Sequence, residues 1–283
     1  MRSKIDFIKL VGEGRRYTFH SHTEFCDGRA QMEAFAREAV RQGFTHYGFT
    51  PHSPIPVFST CNMHRDNVPV FLAEVDRIKG EYGDRVTFMS GMEVDYLGEQ
   101  WGPSSDYFAS LPLDYIIGSV HFIPAPNGEM VDIDGRYESF ARKMKEFFHD
   151  DIRYVVETFY SQSIKMVEAG GFDIIGHLDK VGHNASHYQA GIEDEPWYMA
   201  LADDLVDKVI GSGVTVELNT KAYKEHGRFF PSDRLLGRLA EAGVPIIVNS
   251  DAHVPALIDA SRDEAYRRLD RLSRLSTGSN RHQ

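Results

Sequence analysis

The chain has 283 residues, 42% hydrophobic and 12% aromatic, enough to bury a core without staples and unlike the composition of a disordered chain. Acidic residues number 42 and basic ones 31, a formal net charge of −11 that disfavours nucleic-acid phosphates and anionic membranes as partners. Cys26 and Cys61 make no disulfide framework, no apolar run nears the ~18 residues of a membrane span, and residues 1–16 hold no signal-peptide core, so a soluble cytoplasmic protein is expected.

Short apolar runs alternate with amphipathic stretches along the whole chain. A strand at 17–19 is followed by a helix at 31–42 with Gly43 as its stop, and a strand at 47–50 by a helix at 69–82 with Gly83 as its stop. Strands at 86–90 and 115–120 precede helices at 137–149 and 157–169. Strands at 172–176, 214–218 and 246–249 then enclose helices at 200–210 and 233–242, with Gly211 and Gly243 in stop positions. Strand-then-helix order implies a mostly parallel sheet with helices outside. With no linker rich in Pro, Gly or Ser, the pattern predicts one domain over 1–283, an α/β barrel of about seven strands. A C-terminal helix and polar tail are expected over about 262–283. Four longer irregular pieces, 51–68, 95–112, 123–136 and 181–197, all follow strand ends, where barrel enzymes build their active-site rim.

Those strand ends carry the chemistry. His20-Ser21-His22 follows the first strand, and alternate residues on a strand point the same way, so two imidazoles can grip one ion. Asp251-Ala252-His253 repeats the spacing after the last strand. The second strand ends at His52, the third at Glu93, the fourth at His121 and the fifth at His177. Six of the thirteen histidines thus sit just past strands, and barrel closure gathers them into one ring. Imidazole and carboxylate without thiolate suit Zn, Mn or Fe in a hydrolytic site. Seven or more ligands exceed the four of a structural zinc site and imply two or three divalent ions. One Glu can bridge two ions roughly 3.5–4 Å apart that clamp an attacking hydroxide.

These residues, in this order, resemble the PHP (polymerase and histidinol phosphatase) superfamily over about 17–255. The runs His-Ser-His-Thr-Glu-Phe-Cys-Asp-Gly, Phe-Thr-Pro-His-Ser-Pro and Ile-Ile-Gly-His-Leu-Asp are similar to those of its stand-alone histidinol-phosphate phosphatases. The resemblance implies a distorted (β/α)7 TIM-like barrel with a trinuclear metal centre. By motif, one ion would take His20, His22, Glu93 and Asp251; a second would share Glu93 and add His121 and His177. A third would take His52, His253 and Asp27, with Glu24 in the same loop as the alternative to Asp27. The catalytic step is expected on Glu93, Asp251 and His253, and the substrate is expected to be a small phosphate ester, L-histidinol phosphate in histidine biosynthesis.

Phosphate contacts are expected from Lys221, Arg228 and Asn219 just past the sixth strand, with Lys180 a further candidate cation; the alternative for each cation is a solvated surface position, and for Asn219 a loop cap. His46, His64, His149, His183, His187, His226 and His282 read as surface or structural residues, although His183 and His187 lie in a rim loop. Cys26, in the first metal loop, reads as a packed, reduced thiol, and Gly12-Glu13-Gly14 as a turn. Shared ligands do not separate histidinol phosphate from another phosphomonoester or a phosphodiester, because substrate choice lies in the rim loops. A non-catalytic metal-binding protein is the reading from a different class, and metal-dependent turnover discriminates it from an enzyme.

Overall fold

The computed structural model describes residues 4–279. The expected tail beyond Ser279, including His282, lies outside the described residues.

A short helix, α1 (Phe7–Val11), capped by the Asp6 carboxylate on the Lys9 N–H, precedes β1 (Tyr17–Thr18). There follow α2 (Met32–Arg41), β2 (His46–Phe49), α3 (Val68–Tyr82), β3 (Thr87–Asp95), α4 (Asp106–Ser110) and β4 (Tyr115–Ser119). A hairpin of β5 (Phe122–Pro124) and β6 (Met130–Asp132) leads to α5 (Tyr137–Phe147), α6 (Ile152–Ala169) and β7 (Ile174–Ile175). The chain ends with α7 (Val181–Tyr188), α8 (Pro196–Ser212), β8 (Thr215–Asn219), α9 (Tyr223–His226), α10 (Asp233–Glu241), β9 (Ile246–Asn249) and α11 (Arg262–Ser279).

Seven strands pair in parallel in the order β1-β2-β3-β4-β7-β8-β9. The two edges meet through a parallel bridge between Ser21 and Ala252, with the His22 N–H donating to the Ala252 carbonyl at 2.9 Å. The Asn249 side chain replaces a ladder bond there, accepting from the Phe19 N–H at 2.8 Å. The result is a nearly closed barrel of the seven strands that the pattern predicted, the distorted (β/α)7 TIM-like form that the resemblance implied.

Amphipathic helices cover the outside; α2 buries Met32, Phe35, Ala36 and Ala39, an i, i+3, i+4, i+7 stripe. Inside, Phe7, Phe19, Met89, Tyr115, Ile117, Ile174 and Ile247 form a separate apolar floor. Gly48 and Gly91 make room for the Tyr115 ring: a Cβ at either would lie under 3.0 Å from it, at 1.8 Å from Oη and 2.5 Å from Cζ. The Tyr115 hydroxyl donates to the Phe19 carbonyl at 2.7 Å.

Several boundaries differ from the sequence pattern. β3 runs on to Asp95, so Glu93 lies within the strand rather than past it. α6 starts at Ile152 instead of 157 because the Asp151 carboxylate caps the Tyr154 N–H. α8 continues through Gly211 and stops at Gly213, which has the left-handed φ of +67°. Three rim pieces are partly ordered, as α4 within 95–112, as the β5–β6 hairpin and as α7. No helix among the described residues is long and apolar enough to cross a membrane.

Candidate metal centre

Climbing the barrel interior, the inward positions change from apolar to ligating. Met89, Gly91, Glu93 and Asp95 share one face of β3, and Ile117, Ser119 and His121 share one face of β4 and its extension. Glu217 and Asn219 on β8, and Ile247, Asn249 and Asp251 from β9, repeat the change. The expected ligands therefore stand on a rigid apolar base at the C-terminal ends of the strands.

Glu93 is the hub. Its Oε2 lies 3.2 Å from His20 Nε2, 3.4 Å from His22 Nε2 and 3.0 Å from His52 Nδ1. Its Oε1 lies 2.9 Å from His177 Nε2 and 3.5 Å from His121 Nε2, and those two nitrogens are 3.1 Å apart. Asp251 Oδ1 sits 3.2 Å from His22 Nε2 and 3.9 Å from His20 Nε2. On the outer side, Asp27 approaches His253 Nε2 at 3.3 Å and His52 Nε2 at 3.7 Å. Donor atoms thus gather as His20, His22 and Asp251, as His52, Glu93 and His121, and as His22, Asp27, His52 and His253. His52 reaches toward both Glu93 and Asp27, a wider role than the third group alone, and Glu24 is in none of the three groups.

A second layer fixes these donor side chains. Glu217 Oε1 accepts from His20 Nδ1 at 2.8 Å, and Asp95 Oδ1 holds His121 Nδ1 at 2.8 Å, so each ring turns Nε2 inward. The Ser119 hydroxyl donates to Glu93 Oε1 at 2.8 Å. Asn219 Nδ2 donates to Asp251 Oδ2 and to Glu217 Oε1, both at 3.2 Å. Asp251 itself has φ of +48°, a backbone state rare for a non-glycine residue and frequent where a site dictates the geometry.

Burial pushes Glu93 and Asp251 toward protonation, but their neighbours outweigh it: His20, His121 and His52 around Glu93, Lys221 and His20 around Asp251. Both carboxylates are held well below their usual range. Burial lowers His121, yet Asp95 and Glu93 raise it to about 9. Burial dominates at His22, which with His253 and His52 nearby stays neutral. His20 Nε2, His22 Nε2, Glu93 Oε2 and Asp27 Oδ1 are buried without a hydrogen-bond partner. Within each of the three groups the donor atoms lie within 4.8 Å of one another. Orphaned imidazole and carboxylate lone pairs converging in this way fit a divalent metal centre.

The centre opens into a cavity of about 870 Å³. Lys221, Asn219 and Lys180 line it. Lys221 Nζ contacts Asp251 Oδ1 at 3.1 Å and His253 Nε2 at 3.4 Å, and Lys180 Nζ contacts Asp134 Oδ2 at 2.7 Å. Arg228 is placed differently: its guanidinium makes a bidentate pair with Glu193 at 2.6 and 2.7 Å and borders a neighbouring cavity of about 400 Å³. Cys26 Sγ lies 3.4 Å from His22 Nδ1, and burial pushes its thiol up to about 12. Asp95 and Glu217 escaped the sequence reading, although each is an acid two residues from another inward polar group on an apolar strand, Glu93 and Asn219 respectively.

Residues 18–221 match the PHP domain family model. A Bacillus subtilis histidinol-phosphatase is 24% identical, with 83% of this chain covering 92% of that protein. The crystal structure of a candidate histidinol phosphatase from Listeria monocytogenes superposes with a TM-score of 0.79 at 19% identity, over 88% of this chain and 99% of that one. The histidinol phosphate phosphatase of Lactococcus lactis, crystallised with Zn, L-histidinol and phosphate, gives 0.65 at 16% identity over 91% and 94%. The two structural likenesses are of fold, and the family match spans most of the sequence with the ligand-bearing strand ends β1 to β8 inside it: the chain belongs to the PHP domain family.

Proposed function

We propose that this chain is a metal-dependent phosphomonoester hydrolase that converts L-histidinol phosphate to L-histidinol and inorganic phosphate. The observation that carries the reading is the set of unpartnered, buried donor atoms around Glu93 at the base of an open cavity. The names of the B. subtilis and L. lactis relatives supply the substrate.

His20, His22, Asp251 and Glu93 would hold one divalent ion, Glu93, His121 and His177 a second, and Asp27, His52 and His253 a third; Zn, Mn and Fe all suit these donors. When bound, such ions neutralise phosphoryl charge and lower the pKa of water. Glu93, with one oxygen toward each of the first two groups, keeps them in register. Lys221 and Lys180 flank the same cavity and can accept the remaining phosphate charge, as phosphoryl transfer demands alignment and neutralisation more than a covalent nucleophile. Asn219 acts through others, holding Asp251 and taking the Lys221 N–H on its Oδ1 at 3.0 Å. Glu217 and Asp95 orient His20 and His121.

The test is phosphate release from L-histidinol phosphate beside a panel of other esters, with metal-stripped protein and protein reloaded with Mn or Zn. Metal-restored turnover selective for histidinol phosphate is expected. A clear preference for another mono- or diester would discard the substrate and keep the metal centre, and no turnover of any ester would discard the enzyme.

A further inference from the structure

One wall of the cavity holds a shielded ion pair whose acid has no part in the metal centre. Lys180 and Asp134 are 15% and 31% exposed, 2.7 Å apart, and both line the space that Glu93, His121 and Asp251 line.

The chain is built to hold Asp134 there. Its N–H donates to Asp132 Oδ1 at 2.8 Å, and Gly135, with φ of +86°, turns the backbone immediately afterwards. Asn184 is buried on α7, one turn beyond Lys180 and on the same side of the helix. Its Nδ2 donates at 3.3 Å to the carbonyls of both Ile133 and Gly135, the two neighbours of Asp134. Lys180 and Asn184 therefore clamp the loop at the carboxylate and on either side of it.

Burial pushes Asp134 up, but Lys180, His121 and Lys221 outweigh it, so the group is ionised. A carboxylate has about four acceptor positions, and Lys180 occupies only part of them. Other acids of the cavity are placed less well: Asp132 is taken by Lys143 at 3.1 Å, and the Glu225 side chain is 82% exposed. A positive Lys180 directly beside a negative Asp134 is the mirror of a molecule with a phosphate ester on one carbon and an ammonium on the next.

We infer that Asp134 binds a primary ammonium group that the substrate carries beside its phosphate ester, while Lys180 next to it receives a phosphate oxygen. Asp134 thereby determines specificity for vicinal aminoalkyl phosphates over amine-free esters. The inference rests on the functional reading above and deepens it.

The experiment compares the metal-loaded wild type with Asp134→Asn on L-histidinol phosphate and on its amine-free analogue, 3-(imidazol-4-yl)propyl phosphate, with circular dichroism to check the fold. kcat/KM for the amine substrate should fall about 10- to 100-fold, chiefly through KM, the scale of a lost charge-assisted hydrogen bond. The analogue should change less than about threefold, and Asp134→Glu should restore part of the loss. Independently of turnover, calorimetric binding of L-histidinol in saturating inorganic phosphate should weaken in Asp134→Asn. Equal losses on both esters, no loss on either, or no amine preference in the wild type would overturn the assignment. If the wild type prefers a different ester, the functional reading fails, and phosphoethanolamine against ethyl phosphate then decides the assignment. An amine preference kept by Asp134→Asn on that pair overturns it, and one lost supports it.

Discussion

Glu217 holds His20 from behind: its Oε1 accepts from His20 Nδ1 at 2.8 Å while its Oε2 accepts the His177 backbone N–H at 3.0 Å. One fully buried carboxylate on β8 thus ties His20, after β1, to His177, after β7. Gly176 makes the approach possible, since a Cβ there would lie 3.3 Å from Glu217 Oε2 and 2.5 Å from Ser119 Oγ. Glu217→Gln keeps the shape but loses the charge that raises the His20 pKa. Loss of a ligand-orienting partner of this kind costs about 10- to 100-fold in metal affinity or activity. Metal content after dialysis and phosphate release should both fall while the fold persists; wild-type metal retention would show that Glu217 is only a packing residue.

Removing the hub should act on two positions at once. Glu93 sends Oε2 toward His20, His22 and His52 and Oε1 toward His121 and His177. Glu93→Gln exchanges one oxygen for an amide nitrogen that cannot ligate. The variant should bind fewer ions by elemental analysis and lose at least about 1,000-fold in turnover, the scale at which removal of a key electrostatic group is felt. Metal content and turnover like those of the wild type would refute the shared-carboxylate assignment.

The two cations after β8 should separate cleanly. Arg228, with a side chain 18% exposed, pairs with Glu193 and lies 3.7 Å from Asp179 Oδ2. Arg228→Ala removes the cation from those acids, leaving Glu193 the Ser186 hydroxyl and Asp179 the Ser232 N–H, and loss of one member of a buried pair costs about 3 kcal/mol. Its melting temperature should drop while KM changes little. Lys221→Ala should do the reverse, raising KM for phosphate esters about tenfold with a small change in melting temperature. A raised KM with unchanged stability in Arg228→Ala would return that residue to the phosphate site.

The barrel and the ring of donor side chains at its strand ends are legible for one reason. A histidine or acid placed directly after an apolar run has no structural motive there, and repetition at successive strand ends marks a ring. The supporting layer was harder to see, because Glu217 and Asp95 sit inside strands, where a single acid looks like a solvent-facing residue. Their i, i+2 partners, Asn219 and Glu93, were the available signal. The hairpin also had one, Asn127-Gly128 between two short apolar runs. α7 had none: Gly182, His183 and Asn184 are poor helix formers, and the helix forms through tertiary packing of Val181 and Ala185 and the Asn184 clamp. Nor does sequence tell a phosphate-facing arginine from one facing Glu193.

His183 makes a pH prediction with a definite sign. Its ring lies 4.5 Å from that of His226 and 4.8 Å from that of His187, centroid to centroid. Burial lowers its pKa first, and the two neighbouring imidazoles with Arg228 add to the effect, bringing it from 6.5 to about 4. The unfolded chain therefore takes up this proton more readily than the folded one. The neutral ring's contribution to stability is present in full above about 6.5 and is lost as the pH falls from there through about 4. In His183→Gln the stability curve should be flatter over that window, measured as the difference from wild type in urea unfolding. The His183 ring signals should titrate near pH 4 by NMR. A midpoint at 6.5 or above, or identical slopes for the two proteins, would show that the three rings do not share the environment the structure gives them.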